Sequence, residues 1–232
     1  MSEPIRRAMV IMVHPDDAEF VCGGTVALWA AQGVEVTYVI ITSGEKGTDD
    51  PEMTKERLIA LREEEQRNAA RILGVKEVVF LRYPDGELMP TRELRRDLVR
   101  EIRRYRPDAV IVGDPTRRFY GSNYLNHPDH RAAADAALDA IFPAAGNRLF
   151  FPELLAEGLQ PHSVREVYVA GSSEPDTFID IMPTLDLAIA ALKEHRSQVT
   201  PEEVEKWYRR GDGDKKGDPP KPTEEYKRIV LG

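Results

Sequence analysis

Apolar runs alternate with amphipathic stretches along most of the chain, which is the pattern of strands that alternate with helices. A short apolar run over residues 8–13 predicts a first buried strand, and the β-branched run over 34–41 predicts a second. Between them, a predicted helix over 25–31 ends at Gly33. The same criteria predict further strands at 78–81, 108–113, 164–170 and 177–181, and further helices at about 52–73, 94–105, 128–142 and 184–196.

Strands separated by helices of this length predict one α/β domain with a Rossmann-like, doubly wound, mostly parallel sheet that has helices on both faces. We expect the first four strands in the order 3-2-1-4, which makes strands one and four neighbours where the winding reverses. Ligands of such sheets bind outside the carboxyl ends of the strands at that point. The domain is expected to span residues 1–208. Residues 209–232 are expected to be a flexible Gly-, Pro- and charge-rich segment and a C-terminal extension of the same domain.

Two short motifs place imidazoles and carboxylates at that crevice. The first, His14-Pro15-Asp16-Asp17, follows strand one, and the second, His127-Pro128-Asp129-His130, lies in the loop after strand four. With five His and 17 Pro in the chain, a shuffled sequence would contain His-Pro-Asp on the order of 0.03 times, and this one contains it twice. These residues could instead only cap strands and helices, but their pairing at one predicted crevice favours a functional site.

Two imidazoles and one carboxylate from these motifs suit a divalent metal ion. His14, Asp17 and His130 would supply three ligands and leave one coordination position open for water, which is typical of catalytic zinc sites. Asp16, next to the cation, is then expected to act as the general base. His127, held by Asp129 or another acid, is expected to act as the general acid or as the partner of the oxyanion.

Other residues have competing explanations. Glu65 lies among the core-facing positions of its helix and is expected to have a basic partner. Arg62, one turn away, either pairs with Glu65 or contacts the substrate. A surface or capping role is favoured for His195. Close helix packing is favoured over a phosphate cradle for Gly23-Gly24, because no G-x-G-x-x-G pattern follows strand one.

Composition narrows the choice of partners and of compartment. The net charge of -8 argues against nucleic acid as a partner, because phosphate backbones are bound by clustered Lys and Arg. Cys22 is the only cysteine, which rules out an internal disulfide and fits the reducing cytoplasm; it is expected to be a small core residue. No segment approaches the roughly 20 apolar residues of a membrane span, so a soluble protein is expected.

At these residues the chain resembles the LmbE-like, or PIG-L, de-N-acetylases. That family includes N-acetylglucosaminyl-phosphatidylinositol de-N-acetylase and the deacetylases of mycothiol and bacillithiol biosynthesis, and the latter two are the most similar in motif detail. The resemblance extends over nearly the whole chain. Besides the two motifs it includes Gly23-Gly24-Thr25, Arg62 and Glu65 ahead of Leu73-Gly74, Pro84-Asp85, and the segment from Lys193 to Gln198.

The resemblance implies a zinc-dependent hydrolase that removes acetyl from an N-acetylglucosamine-type amide, with Fe2+ or another divalent metal as the alternative ion. Its site residues coincide with those chosen above: His14, Asp17 and His130 for the metal, and Asp16, His127 and Asp129 for catalysis. For Arg62 it implies a substrate contact. The substrate would be a small N-acetylated amino sugar, and a homo-oligomer, either a trimer or a hexamer, would be expected.

Two departures from the family pattern concern the site. Many members carry Glu directly after the second Asp, whereas Ala18 and then Glu19 follow here. Some members have a Tyr at the oxyanion site two residues before the second motif. This chain has Leu125 there, which leaves Tyr120 and Tyr124 as candidates.

Three other functions remain open at this level. Two imidazoles and a carboxylate also suit an Fe(II) oxygenase, which would leave Asp16 without a role. A metal-binding or ligand-sensing domain without catalysis would need neither Asp16 nor His127. An amidase acting on a thiol-sugar conjugate would use the same residues. Substrate choice is expected to lie in the loops over 42–50, 114–126 and 144–160.

Overall fold

Seven strands form one sheet in the computed structural model, which describes residues 3–209 and 222–231. With a separate two-stranded hairpin, the described residues contain nine strands: β1 (Arg7–Met12), β2 (Glu35–Thr42), β3 (Glu77–Tyr83), β4 (Ala109–Gly113), β5 (Phe119–Tyr120), β6 (Tyr124–Leu125), β7 (Glu166–Ala170), β8 (Thr177–Asp180) and β9 (Thr223–Val230). The sheet order is β3-β2-β1-β4-β7-β9-β8, and β5 and β6 form a separate hairpin. The five neighbouring strands β3, β2, β1, β4 and β7 pair in parallel. β9 is antiparallel to both of its neighbours, β7 and β8. The expected order 3-2-1-4 and the mostly parallel sheet are confirmed.

Helices cover both faces of the sheet. They are α1 (Asp17–Ala31), α2 (Lys55–Leu73), α3 (Arg92–Tyr105), α4 (Pro128–Asp139), α5 (Glu153–Ala156), α6 (Leu185–Leu192) and α7 (Pro201–Arg209), with short π and 3-10 helices at Ala140–Ala145 and Met182–Thr184. None of the described helices combines the length and the apolar content needed to cross a membrane.

The side chains of β1 divide between two cores. Met9 and Ile11 pack with α3 and α4 on one face, whereas Val10 and Met12 pack with α1, α2 and α6 on the other. A central strand that is buried on both faces has no polar side, which explains the continuous apolar run in its sequence. The predicted core residue Cys22 is fully buried in the second of these cores.

Four helices have limits that differ from those predicted. α1 begins at Asp17, eight residues before the predicted start at residue 25, because the turn of the first motif leads directly into it. α2 begins later than expected, because Thr54 takes the N-cap position and its Oγ1 accepts a hydrogen bond from the Arg57 N–H at 3.3 Å. α4 ends before Phe142, whose backbone is extended (φ −140°, ψ 128°) ahead of Pro143. The ring of a proline disfavours helical backbone at the residue before it. α6 stops at Leu192, and tight turns follow it.

The C-terminal strand β9 is not among the predicted elements. Residues 210–221 of the expected flexible segment lie outside the described residues, and β9 then enters the sheet between β7 and β8. Its buried Glu224 carboxylate accepts the backbone N–H groups of Gly24 and Thr25 in α1, each at 2.8 Å. A Cβ on Gly24 would lie 2.6 Å from the Ile181 side chain. The close helix packing expected at Gly23-Gly24 is therefore confirmed. The Gly24 N–H binds the carboxylate of Glu224 and not a phosphate.

Candidate metal centre

The first motif forms the turn between β1 and α1. The His14 N–H donates to Asp17 Oδ2 at 2.8 Å, and the Asp17 N–H donates to the His14 carbonyl at 3.3 Å. Asp16 adopts φ 109° and ψ −32°, a region that residues other than glycine rarely occupy. The turn lies at the carboxyl end of β1, where the topology places a ligand site.

The second motif begins α4. His127 is the N-cap, and Pro128 takes the first helical position, where its missing N–H costs nothing. His127 Nδ1 accepts the backbone N–H of Asp129 at 3.3 Å. Because Nδ1 accepts, a neutral His127 carries its proton on Nε2.

Asn126 fixes the tautomer of His130. Asn126 Nδ2 donates to the Arg117 carbonyl at 2.7 Å, so its amide oxygen faces His130 Nδ1 at 3.0 Å. Nδ1 therefore donates, and Nε2 keeps a lone pair. That Nε2 lies 3.3 Å from His14 Nδ1 and 3.3 Å from Asp17 Oδ1.

Asp85 fixes the tautomer of the neutral His14 ring, as Asn126 does for His130. His14 Nε2 lies 3.1 Å from Asp85 Oδ1, and since an ionised carboxylate only accepts, Nε2 carries the proton. In the neutral ring, His14 Nδ1, which is 3.4 Å from Asp17 Oδ2, then has a lone pair. Ligand atoms of His14, Asp17 and His130 thus converge and lie within 4.8 Å of one another. Once protons are displaced from the two rings, these atoms form a set of three electron-pair donors that suits a cation.

A second group, formed by His14, Asp85 and His127, also has its ligand atoms within 4.8 Å of one another. The rings of His14 and His127 meet edge to face, with centroids 5.1 Å apart. The two groups share His14. A neutral imidazole has only one nitrogen with a free lone pair, so His14 can bind a metal ion in one of the two groups but not in both.

Carboxylates surround His14. Burial alone would lower the pKa of His14, but three neighbouring carboxylates raise it to about 12. These are the carboxylates of Asp129, Asp17 and Asp85. Burial likewise works to raise the pKa of Asp85, but the bonds from His14 and from the Lys46 backbone N–H lower it to about 2. The carboxylates therefore stabilise a positive charge at His14, whether a proton or a metal ion. Protons and metal ions compete for the ring nitrogens of such a histidine.

The two adjacent carboxylates have pKa values that shift in opposite directions. Burial raises the pKa of Asp16 to about 6, against the opposing effect of the Arg62 guanidinium. Burial would also raise the pKa of Asp17, but His130 and His14 outweigh it and hold that pKa well below its usual range. Environments that separate two neighbouring carboxylates in this way are typical of sites that use one as an anion and the other as a base.

Arg62 is buried beside Asp16, with 4% of its surface exposed. Its Nη2 donates to the Pro15 carbonyl at 2.7 Å and to Asp16 Oδ2 at 3.2 Å, and its Nη1 donates to the Gly44 carbonyl at 2.8 Å. The side chain thus fixes the first motif from α2. These contacts replace the pairing with Glu65 that the sequence leaves open.

The turn after α6 is more deeply buried than expected. The surface or capping role predicted for His195 is wrong, since the side chain is fully buried and its Nε2 donates to Glu19 Oε2 at 3.1 Å. In place of the basic partner expected for Glu65, Ser197 donates its N–H and its hydroxyl to the Glu65 carboxylate at 2.9 and 2.6 Å. Neutral donors can satisfy a buried carboxylate as well as a cation can.

Asp129 links the second motif to the loop after β3. Its carboxylate accepts the N–H groups of Gly86 at 2.6 Å and Leu88 at 3.2 Å, and it lies 3.8 Å from His14 Nε2. Its contact with His127 runs through its own backbone N–H. Asp129 is therefore fixed by backbone donors within reach of both His14 and His127.

Sequence reasoning missed Asp85 and Asn126, the residues that orient the two imidazoles. Asp85 enters the sequence analysis only as part of Pro84-Asp85 in the family resemblance, with no role of its own. It nevertheless follows the carboxyl end of β3 by two residues and so lies at the edge of the sheet where the ligand site is expected. Asn126 directly precedes the second motif. Its signal is weak, because Asn is common before helices.

The β5-β6 hairpin carries the two candidate tyrosines. Tyr124 is 55% exposed and Leu125 is 70% exposed. Tyr120 is half-buried, and burial raises its pKa, with the negative charge of Asp17 among the further causes. Of the two tyrosines, Tyr120 is therefore the less exposed, and the charge of Asp17 contributes to its raised pKa.

Comparisons with known proteins agree with this arrangement. The family model described as PIG-L, GlcNAc-PI de-N-acetylase, matches residues 9–141, which is more than half of the chain. Diacetylchitobiose deacetylase from Thermococcus kodakarensis is 35% identical over 203 residues, which cover 88% of this chain and 74% of the relative. N,N'-diacetylchitobiose deacetylase from Pyrococcus horikoshii, solved with its inhibitor MPG, is 31% identical with a TM-score of 0.84, covering 97% of this chain and 84% of that one.

A solved structure with a different activity has the same fold. The 4-carboxy-2-hydroxymuconate hydratase of Pseudomonas putida has a TM-score of 0.78 at 24% identity, covering 98% of this chain and 97% of the hydratase. At that identity the likeness shows the fold alone, because one fold hosts many activities.

Proposed function

The chain belongs to the PIG-L family of GlcNAc-PI de-N-acetylases, and on that premise we propose that His14, Asp17 and His130 hold one metal ion in its active site. It is a metal-dependent hydrolase that removes the acetyl group from an N-acetylglucosamine-type amide. The observation that carries the proposal is the convergence of the three ligand atoms, from two distant motifs, to within 4.8 Å.

Zinc is the proposed ion. A tetrahedral zinc centre with bonds of about 2.0–2.1 Å has its ligand atoms about 3.3–3.4 Å apart. His14 Nδ1 and His130 Nε2 are 3.3 Å apart and so fit this size. Asp17 places Oδ1 3.3 Å from His130 Nε2 and Oδ2 3.4 Å from His14 Nδ1, so each imidazole has a carboxylate oxygen at a similar distance. Three protein ligands also leave a fourth position for substrate or water, as catalytic zinc sites require.

We favour this group over that of His14, Asp85 and His127. In the favoured group Asp85 accepts the second ring N–H of His14, and the Asn126 amide oxygen accepts the second ring N–H of His130. Metal-binding histidines commonly need such acceptors to fix their tautomer and orientation. In the other group Asp85 would itself be a metal ligand, so it could not accept the second ring N–H of His14.

Asp16 is the proposed general base. A divalent ion held at this site supplies Lewis acidity toward the acetyl carbonyl and the attacking water. Asp16 removes the proton from that water as the new C–O bond forms, and its raised pKa makes it a stronger base than an ordinary aspartate. Arg62 fixes one oxygen of this carboxylate. A direct contact between Arg62 and the substrate stays a prediction.

His127 is the proposed general acid. Burial, and then the charge of His14, lower its pKa, which makes the protonated ring a readier donor. It gives a proton to the leaving nitrogen as the C–N bond breaks, so that the products are acetate and a primary amine. Asp129 is proposed to tune His127, because its charge opposes that lowering. Tyr120 is the proposed further partner of the oxyanion.

Acetate release by metal-loaded protein tests this proposal. We propose N,N'-diacetylchitobiose and an N-acetylglucosaminyl inositol as substrates, with a thiol-sugar conjugate beside them to test the amidase alternative. We expect the wild type to release acetate without oxygen, and Asp16→Asn to lose about 10²–10⁴-fold in kcat while it keeps its metal. Binding of these sugars without acetate release would favour a ligand-sensing domain, and a requirement for oxygen would favour an Fe(II) oxygenase.

Quaternary structure and compartment are further proposals. We propose a homo-oligomer, either a trimer or a hexamer, because the resemblance to the family implies one. We propose the cytoplasm because the single cysteine fits a reducing compartment. Light scattering that gives the mass of one chain, 26.2 kDa, would contradict the oligomer.

A further inference from the structure

Asp16 is held in a strained conformation by a group outside its own turn. At φ 109° a residue with a Cβ is strained, and such a conformation persists only where its surroundings fix it. Its carbonyl accepts the N–H groups of Glu19 and Phe20 at 3.0 and 3.2 Å, as the start of a helix requires. Its own N–H donates to Gln66 Oε1 at 3.0 Å. That last bond ties the backbone of Asp16 to α2.

Gln66 has only one orientation that satisfies its neighbours. The side chain is fully buried, and its Nε2 donates to Glu19 Oε1 and Oε2 at 3.0 and 3.1 Å. The Asp16 N–H can only donate, and an ionised Glu19 carboxylate can only accept. A flipped amide would face both neighbours with the wrong group, which is costly in a buried site.

Glu19 is fixed in turn by His195. Both side chains are fully buried, and His195 Nε2 donates to Glu19 Oε2 at 3.1 Å. The Tyr208 hydroxyl donates to the Glu19 backbone carbonyl at 3.2 Å. A continuous line of buried hydrogen bonds therefore runs from His195 through Glu19 and Gln66 to the backbone of Asp16.

We propose that Gln66, locked by Glu19 and His195, is a positioning residue that keeps the Asp16 carboxylate in its productive orientation. The inference rests on the proposed role of Asp16 as the base. Gln66 acts on Asp16 through the backbone, whereas Arg62 touches the carboxylate itself. Loss of Gln66 should therefore slow the chemical step and leave metal and substrate binding unchanged.

Gln66→Met removes the hydrogen bonds of the amide to Asp16 and to Glu19 and nearly keeps the shape of the side chain. With metal-loaded enzyme and N,N'-diacetylchitobiose, we expect kcat to fall on the order of 100-fold while KM and metal stoichiometry stay within about twofold. Glu63→Gln is the matched control, since Glu63 is buried on the same helix but bonds Arg67 and Arg82. It should leave kcat within about twofold. A wild-type kcat in Gln66→Met would overturn the proposal.

A reciprocal exchange tests the direction of the hydrogen bonds. Glu19→Gln alone puts two amides in contact, and Gln66→Glu alone puts two carboxylates in contact. Together they restore the pattern: the carboxylate at position 66 accepts from Asp16 and from the amide at position 19, whose oxygen accepts from His195. We expect the double variant to recover at least about tenfold in kcat over the worse single variant. A double variant no better than that single variant would contradict the proposal.

Hydrogen exchange at the Asp16 amide separates failure of this inference from failure of the proposed function. We expect this amide to be protected in the wild type and to exchange at least about tenfold faster in Gln66→Met, or in Gln66→Leu if the first variant does not fold. An unprotected wild-type amide, or unchanged exchange in the variant, would overturn the positioning role. Retained kcat in Asp16→Asn would instead refute the proposed base and leave the exchange result valid.

Discussion

Replacing Gly24 by alanine should destabilise the protein, whereas the same change at Gly23 should not. Both glycines lie inside α1, but their surroundings differ. A Cβ on Gly24 would lie 2.6 Å from both Cβ and Cγ2 of Ile181, and 2.8 Å from its Cδ1. A Cβ on Gly23 would meet Ala188 Cβ at 3.7 Å, an ordinary van der Waals distance.

The magnitude follows from two opposing terms. Alanine inside a helix is about 0.5–1 kcal/mol more favourable than glycine, and this gain applies to both variants. At position 24 the new methyl group must also displace the buried Ile181 by about 1 Å to reach normal carbon–carbon distances. Such overpacking costs about 1–3 kcal/mol. The gain in helix propensity cancels in the difference between the two variants, which should therefore be about 1–3 kcal/mol.

Urea denaturation of both variants with metal bound measures this difference. For a chain of this size it corresponds to a Tm of Gly24→Ala that is about 2–12 °C below that of Gly23→Ala. Gly23→Ala should be as stable as the wild type or more stable. Equal stability of the two alanine variants would refute the close packing of α1 against Ile181.

Two further predictions concern a metal-orienting acid and a buried ion pair. Asp85→Asn should weaken zinc affinity about 10–100-fold, measured by competition with a chelator, because the acceptor that orients His14 is replaced by an amide; unchanged affinity would refute that role. Burial opposes the ionised form of Glu63, but hydrogen bonds from Arg82 and Arg67 hold its pKa below the ordinary 4.5. Its stabilising effect should therefore be full above about pH 4.5 and lost as the pH falls through the lowered pKa, so that the stabilities of wild type and Glu63→Gln converge in acid. A constant difference between them would contradict the ion pair.

Local signals were enough to predict how the two motifs meet. The apolar run of β1 ends directly before His14, and Pro128 marks the first residue of a helix that carries His130 in its first turn. Parallel strands with helical crossovers bring their carboxyl ends to one edge of the sheet. The order of the first four strands and the crevice between β1 and β4 follow from these facts without any knowledge of tertiary contacts.

The burial of His195 had no such signal. Its partner Glu19 lies 176 positions earlier in the chain, and nothing beside His195 indicates that a carboxylate from α1 will reach it. The same holds for Gln66, whose role depends on Asp16 and Glu19 in another element. Pairings of this kind arise only when helices from different parts of the sequence pack together.

Strand β9 was missed because its inward side chains do not look like those of a core. Half of its eight residues are charged, and one of the buried positions is Glu224. Buried strands are recognised by apolar residues, so a carboxylate that bonds to Gly24 and Thr25 breaks the pattern. The buried Tyr226, two positions further on the same face, was the remaining indication of a strand.

The position of the ion in a crystal of zinc-loaded protein, located by anomalous scattering at the zinc edge, tests the central claim most directly. We predict one peak at about 2.0–2.2 Å from His14 Nδ1, an Asp17 oxygen and His130 Nε2. A peak that is instead bound by His14 Nε2, Asp85 and His127, or no peak at the first motif, would contradict the proposed metal site.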